Sequence, residues 1–191
     1  MKSLRLLLCV LPLALTGCST LGAVNWSAAN PMTWFGSSLE VTEEGVGDVT
    51  ADTAMDEAAI GEALGDDYRI RSGMRTENGA IVRYYEALKD DKVALVINGE
   101  AGTVSRIDVL DSDIPAATGE EIGLPFSDLY ERAYGNCEKA TGDDSNGVIC
   151  KAKGSQHISY IFTGDWTGPD GLMPPDDALK TWTLHKIIWR R

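Results

Sequence analysis

The sequence predicts an α+β fold: antiparallel β-meanders with two short helices packed on the sheet. Three observations carry this. Residues 68–110, YRIRSGMRTENGAIVRYYEALKDDKVALVINGEAGTVSRIDVL, are rich in β-branched and aromatic residues and break at Asn78-Gly79, Asp90-Asp91 and Asn98-Gly99. Asn-Gly between such runs is a strong hairpin signal. Two segments with helical period lie one on each side of this region, and the order of glycine turn, helix and meander then recurs weakly, so a strand-helix-meander repeat is expected, with halves 39–110 and 111–191.

Taken in order, the chain opens with Lys2 and Arg5, an apolar run from Leu6 to Leu15, and the small residues Thr16 and Gly17 before Cys18. That is the layout of an export signal. A membrane span needs about 20 apolar residues, and this run is shorter and interrupted by Pro12. Residues 1–17 are therefore expected to be removed as a signal peptide. Residues 18–38 lack charge and lack helical or strand period, and read as a tether with an r.m.s. span of roughly 25 Å. Trp26, Trp34 and Phe35 sit in it, either as interfacial anchors or docked on the domain.

A single domain is expected over 39–191. LEVTEEGVGDV (39–49) reads as a strand ending at Gly45 and Gly47. Thr53–Leu64 reads as a helix capped by Asp52 or Thr53, with Met55, Ala59, Ile60, Ala63 and Leu64 on one face and Gly65 as its stop. Four strands follow, near 68–76, 80–89, 92–98 and 103–110; in the third, Val93, Leu95 and Ile97 share a face that calls for an apolar cover. In LPFSDLYERAYG, Phe126, Leu129, Tyr130, Ala133 and Tyr134 fall at i, i+3, i+4, i+7 and i+8 between Pro125 and Gly135, predicting the second helix. Strands are expected again near 147–153, 156–163 and 180–190. By strict alternation the last places Trp182 and Leu184 on one face and Ile187 and Trp189 on the other, so it is apolar on both and expected to be buried. GDWTGPDGLMPPDDA (164–178) shows no period and reads as a mobile or partner-touching loop, or as a surface insertion without a role.

Charge and cysteines narrow the setting. Removing residues 1–17 takes away two of the 17 basic residues and none of the 29 acidic ones, leaving a net charge of −14 on 174 residues. Nucleic acid is thereby disfavoured as a partner, because its phosphates would repel the chain. No Lys or Arg occurs between Arg5 and Arg69, whereas Lys180, Lys186, Arg190 and Arg191 crowd the end, a pattern expected of solvated faces. Of four cysteines, Cys9 goes with the signal and Cys18 lies at the head of the tether. Cys137 and Cys150 remain as a pair, read as a disulfide in an oxidising compartment rather than as two free thiols.

Motifs of known chemistry are sparse. The sequence holds no GxSxG, HExxH, SxxK or phosphate-cradling glycine loop. His157 and His185 are expected in strands, without an adjacent nucleophile. The acid pairs Glu120-Glu121, Asp143-Asp144 and Asp176-Asp177 would serve acid–base work only across a cleft. Asp111, Asp113 and Glu120, or Asp165, Asp170 and Asp176, are oxygen-rich but lack EF-hand spacing, so no metal is expected. No cofactor is expected. Trp166 and Asp170 in the long loop are the residues expected to contact a partner, while Trp182 reads as core.

The quartet Leu15-Thr16-Gly17-Cys18 resembles the lipobox of bacterial lipoproteins, which implies that residues 1–17 are a lipoprotein signal peptide, that Cys18 carries covalent lipid and becomes the first residue, and that 18–38 form a lipidated tether. Ser19 after it, by resemblance to sorted lipoproteins, implies the inner leaflet of the outer membrane, with the domain in the periplasm. With CEKATGDDSNGVIC (137–150) and the closing LKTWTLHKIIWRR (179–191), the chain resembles the YfeY-type lipoproteins of enteric bacteria. That resemblance spans the whole length and implies control by the envelope-stress sigma factor E, but brings no activity and no catalytic residue. The expected function is accordingly a non-catalytic binding or structural role in the envelope, anchored through lipid and partnered by an envelope protein or the cell wall. An accessory role in outer-membrane protein assembly or quality control is the first alternative, and a cell-wall hydrolase the second.

Overall fold

The computed structural model describes residues 39–77, 79–169 and 171–191. These hold ten strands: β1 (Gly45–Val46), β2 (Val49–Thr50), β3 (Arg69–Glu77), β4 (Ala80–Lys89), β5 (Lys92–Glu100), β6 (Thr103–Val109), β7 (Cys137–Lys139), β8 (Val148–Lys151), β9 (Ile158–Thr163) and β10 (Thr183–Arg190). Three short helices accompany them: α1 (Glu57–Leu64), α2 (Phe126–Leu129) and α3 (Asp176–Leu179). β1 and β2 form a small ribbon. The other eight strands make one antiparallel sheet in the order β3-β4-β5-β6-β10-β9-β8-β7. Each half of the chain therefore supplies a four-stranded meander, and the two join where β10 pairs with β6.

Several elements differ from the sequence reading, each for a local reason. The segment 39–49 is not one strand: Val41 makes single bridges to Val46 and Ala116, and the chain folds back into β1 and β2. Helix α1 begins at Glu57, not Thr53, because Thr53–Met55 is held extended against the start of β6: Val104 N–H donates to Thr53 O and Met55 N–H to Gly102 O. Asp56 is the cap, its carboxylate accepting from Ala59 N–H at 2.9 Å. The two-residue turn of the third hairpin lies at Ala101-Gly102, both with positive φ, rather than at Asn98-Gly99. Asn98 and Gly99 sit within β5 at a register shift, and a Cβ on Gly99 would lie 2.7 Å from Thr103 O and 2.8 Å from Met55 Sδ. That glycine serves close packing under Met55 instead of a turn.

The second helix lasts one turn. Tyr130 leaves it in an extended conformation, and its hydroxyl donates to Lys151 O at 2.6 Å. Asp176 accepts from Ala133 N–H at 2.8 Å. These tertiary bonds outcompete continuation of the helix, and Tyr134, expected on its buried face, is 84% exposed. The sequence reading has no counterpart for α3 and β7, and α3 begins in the periodless segment 164–178 and ends one residue beyond it. The strand-helix-meander repeat is not matched either, since α1 spans two turns, α2 one, and among the described residues no second ribbon corresponds to β1 and β2.

The core covers one face of the sheet. Ile97, Ile107, Val109, Tyr160, Phe162, Leu184, Ile187 and Trp189 meet Ile60 of α1, Phe126 of α2, Leu179 of α3 and the ribbon valines. Leu95 and Ile97 find their apolar cover there, but Val93 does not share their face: a register shift in the pairing with β4 sets Val93 opposite Leu88, and Ala94 joins the core in its place. A bulge corrects the expectation for β10: His185 is skipped in the pairing with β9, which shifts alternation by one residue. Leu184 therefore shares a face with Ile187 and Trp189, and Trp182 just before the strand packs into the same core. Ile188 faces the other side with Ala140 and Ile161. Beside them Asp144 bonds to Lys186 Nζ at 2.7 Å and faces Arg106, which in turn binds Asp108 at 2.6 Å.

Candidate functional site

Two connections meet at one end of the second meander. The β7–β8 connection carries a 3₁₀ turn at Gly142–Asp144, and the β9–β10 connection runs from Gly164 to Trp182 through α3. Between them lies a groove of about 880 Å³, lined by Lys139, Thr141, Ser145, Asn146, Asp165, Trp166 and Trp182 among others. It is larger than the other hollows described here, of about 260, 230 and 400 Å³.

The sequence builds this groove from indoles and glycines. Trp182 is 1% exposed and fixed by main-chain bonds: its N–H donates to Leu179 O at 2.9 Å, and its carbonyl accepts from Phe126 N–H at 2.8 Å. Gly164 lies against its indole, where a Cβ would stand 2.7 Å from Nε1. Gly168 lies equally close against the indole of Trp166, which is half-buried on the core. Glycine is required at both positions because the backbone touches a ring. The indole Nε1–H of Trp182 is buried and has no acceptor among the described residues. An unmatched buried donor is an unusual feature, since such groups are nearly always paired.

The sequence-derived candidates distribute as follows. Trp166 lines the groove and Asp165 stands beside it, while Asp170 and Cys18 lie outside the described residues, as do Trp26, Trp34 and Phe35. Cys137 and Cys150 are directly opposed on β7 and β8 with Cα atoms 4.0 Å apart, and a disulfide joins them. His157 precedes β9 instead of lying in it; its Nδ1 is 2.7 Å from Arg190 O, and since a carbonyl only accepts, that nitrogen carries the proton. His185 is exposed at the bulge. The acid pairs are scattered: Asp144 serves the charged cluster on the back of the sheet, Asp176 caps Ala133 N–H, and Asp177 pairs with Lys180 at 2.8 Å. Among the described residues, no three His, Cys, Asp or Glu converge as a metal site, and no helix is long and apolar enough to cross a membrane.

A smaller hollow of about 230 Å³ was not foreseen. It holds Glu120, Tyr130, Tyr160 and Lys153, the ammonium of Lys153 lying 5.6 Å from the Tyr130 ring. Burial pushes both phenols well above the ordinary tyrosine range, and the charge of Glu120 adds to this. Thr118 donates to Glu120, and the Tyr160 hydroxyl is buried without a partner among the described residues. Neutral phenols held this firmly are donors and packing groups rather than general bases at neutral pH. No sequence signal pointed here, because Glu120 and Tyr160 are 40 positions apart and meet only through the fold.

Residues 23–191 match the family described as "Protein of unknown function (DUF1131)". The chain belongs to that family. DUF1131 similarity extends to a relative described as "Uncharacterized protein YfeY" of Escherichia coli (strain K12), 66% identical over 191 residues and covering all of both chains. Among solved structures, this DUF1131 chain is similar to the crystal structure of the uncharacterized protein yfeY from Escherichia coli. The TM-score is 0.72 at 61% identity, covering 81% of this chain and 100% of that one.

Proposed function

We propose that this DUF1131 protein is a non-catalytic lipoprotein of the outer membrane, lipid-anchored in the inner leaflet, that holds an envelope component in the groove beside Trp166 and Trp182. On this reading residues 1–17 are the signal peptide, Cys18 carries the lipid, 18–38 form the tether, and 39–191 form the periplasmic domain, made under envelope stress. The observation that carries the binding role is the groove of about 880 Å³ with the half-buried indole of Trp166 among its lining. A large, partly apolar concavity with few polar groups is the usual form of a ligand site. The anchor rests on Leu15-Thr16-Gly17-Cys18 after a short apolar run. Several acyl chains on one cysteine hold a protein stably, each buried CH₂ contributing about 0.8 kcal/mol.

Two measurements test this. Cys18→Ser should abolish labelling by radioactive palmitate and release the protein from membranes; persistent label rejects the anchor. A photo-crosslinking residue at position 166 should capture an envelope component in intact cells, while one at exposed Glu57 on α1 should not; equal capture at both removes the groove from the reading.

An accessory role in outer-membrane protein assembly is favoured by a different feature. β4 pairs with β5 only from Tyr84 onward, so the outer part of the β3–β4 hairpin overhangs the sheet, with Met74 70% and Ile81 77% exposed on one face. Crosslinks from position 81 to unfolded outer-membrane proteins would support that role over the groove.

A further inference from the structure

We infer that two copies of this chain pair edge to edge through β3, antiparallel and with Met74 on the two-fold axis. The pairing depends neither on the groove nor on what the groove holds. β3 is one edge of the eight-stranded sheet and, among the described residues, pairs with β4 alone, so the outward backbone groups of nine residues lack a partner strand. An edge of that length is a template for a further strand. β7, the opposite edge, has three residues and offers far less. Met74 on β3 and Ile81 on β4 are 70% and 77% exposed, although they extend the face on which the Ser72–Tyr85 and Ile70–Ala87 pairs meet the core.

Symmetry and charge then select one register. Outward-pointing backbone groups alternate along a strand, so two identical antiparallel strands match only when the axis passes through a residue. Registers that pair five or more residues of β3 centre on Arg71, Ser72, Gly73, Met74 or Arg75. Centring on Arg71 or Arg75 opposes that arginine to itself. Centring on Ser72 sets Arg69 against Arg75, and centring on Gly73 sets Arg71 against Arg75. Like charges directly opposite are destabilising. With Met74 on the axis no arginine meets an arginine: Arg71 faces Glu77 of the second copy, twice over, Ser72 faces Thr76, and Arg75 faces Gly73, which has no side chain to crowd it. The side chains of Arg71 and Glu77 are each 54% exposed, leaving both room for this partner beside Glu86 and Arg75. The two Met74 side chains touch across the axis, and Ile81 stands diagonally beside each, so the exposed apolar groups of both hairpins gather into one patch.

The test places single cysteines in the full chain and oxidises intact cells with copper phenanthroline, with the native chain as background. Met74→Cys should give a disulfide-linked homodimer on non-reducing gels, because residues facing each other on the axis stand within disulfide reach. Ser72→Cys and Arg75→Cys should each give at least about fivefold less, being two or more residues out of register with their own copies. Ser72→Cys co-expressed with Thr76→Cys should restore the link. In sedimentation equilibrium of the full chain in detergent, the dimer should form with a Kd on the order of 10 μM. Glu77→Arg should weaken it about tenfold, while Glu131→Arg, the same charge change at an exposed site elsewhere, should not. Met74→Arg should leave a monomer with an unchanged melting temperature, because position 74 is exposed. A native chain still monomeric at about 1 mM, equal yields at positions 72, 74 and 75, or equal weakening by Glu77→Arg and Glu131→Arg overturns the pairing. A Met74→Cys adduct with another protein in place of the homodimer also overturns it, and assigns this edge to the assembly role instead.

Discussion

Replacing both Cys137 and Cys150 by alanine measures what the cross-link contributes. The two residues are 13 apart in sequence, so the bond closes a small loop. In the chain-entropy description, a loop of this length restricts the unfolded state by about 3 kcal/mol. The folded state adds a second consequence. β7 has three residues and pairs only with β8, at the edge of the sheet, so its attachment depends heavily on that link. Alanine is the right replacement because Cys150 is fully buried, and a serine hydroxyl there would add roughly 1–3 kcal/mol of unmet hydrogen bonding. For a domain of this size, 3 kcal/mol corresponds to a fall in Tm of about 10 °C. Circular dichroism melts of the native protein, the double alanine variant and the double serine variant should fall in that order of stability. The same Tm for native protein with and without reductant, or full alkylation of both thiols without reductant, would refute the reasoning.

Asp144→Ala should cost about 2–3 kcal/mol by urea denaturation, because Lys186, 13% exposed, loses its carboxylate partner; adding Lys186→Met should recover most of the loss. Gly164→Ala should cost about 1–3 kcal/mol, since the new Cβ would stand 2.6 Å from Trp182 Cγ, and tryptophan fluorescence should shift with it. Alkaline pH should destabilise the fold: Tyr130 and Tyr160 have folded pKa values raised above 10.0, so their stabilisation is complete below pH 10 and is lost as pH climbs through the folded values. Tyrosinate absorbance should therefore rise together with unfolding, and titration of all tyrosines with an intact fold would contradict this.

The strands β3 to β6 were legible because each is long, half-buried and separated by turn residues, so local pattern and tertiary need agree. Asp90 and Asp91 even supply the two positive φ values that a two-residue hairpin loop demands. Legibility failed where a distant partner decides. Tyr130 abandons a helical register for a bond to Lys151, and Thr53–Met55 yields its helix to β6. At His185 one skipped residue inverted the faces, and a bulge leaves no mark in an alternating pattern. At the groove, Trp166 was visible as an isolated aromatic in a loop. The place of Trp182 against the groove was not, since core burial and a place on a wall give the same sequence signature.

The seam between β6 and β10 has a consequence for how the chain assembles. Arg106 lies opposite Arg190, so the middle of the sheet is made by residues 84 positions apart, while β3 to β6 can zip up locally. Closing so long a loop is slow relative to hairpin formation. Until residues 183–190 arrive, β6 presents an open row of backbone donors and acceptors, with Ile107 and Val109 uncovered, a surface prone to pair with other chains. The period of greatest aggregation risk is thus the interval between completion of the first meander and docking of the second, and a folding helper would act most usefully on that exposed β6 edge.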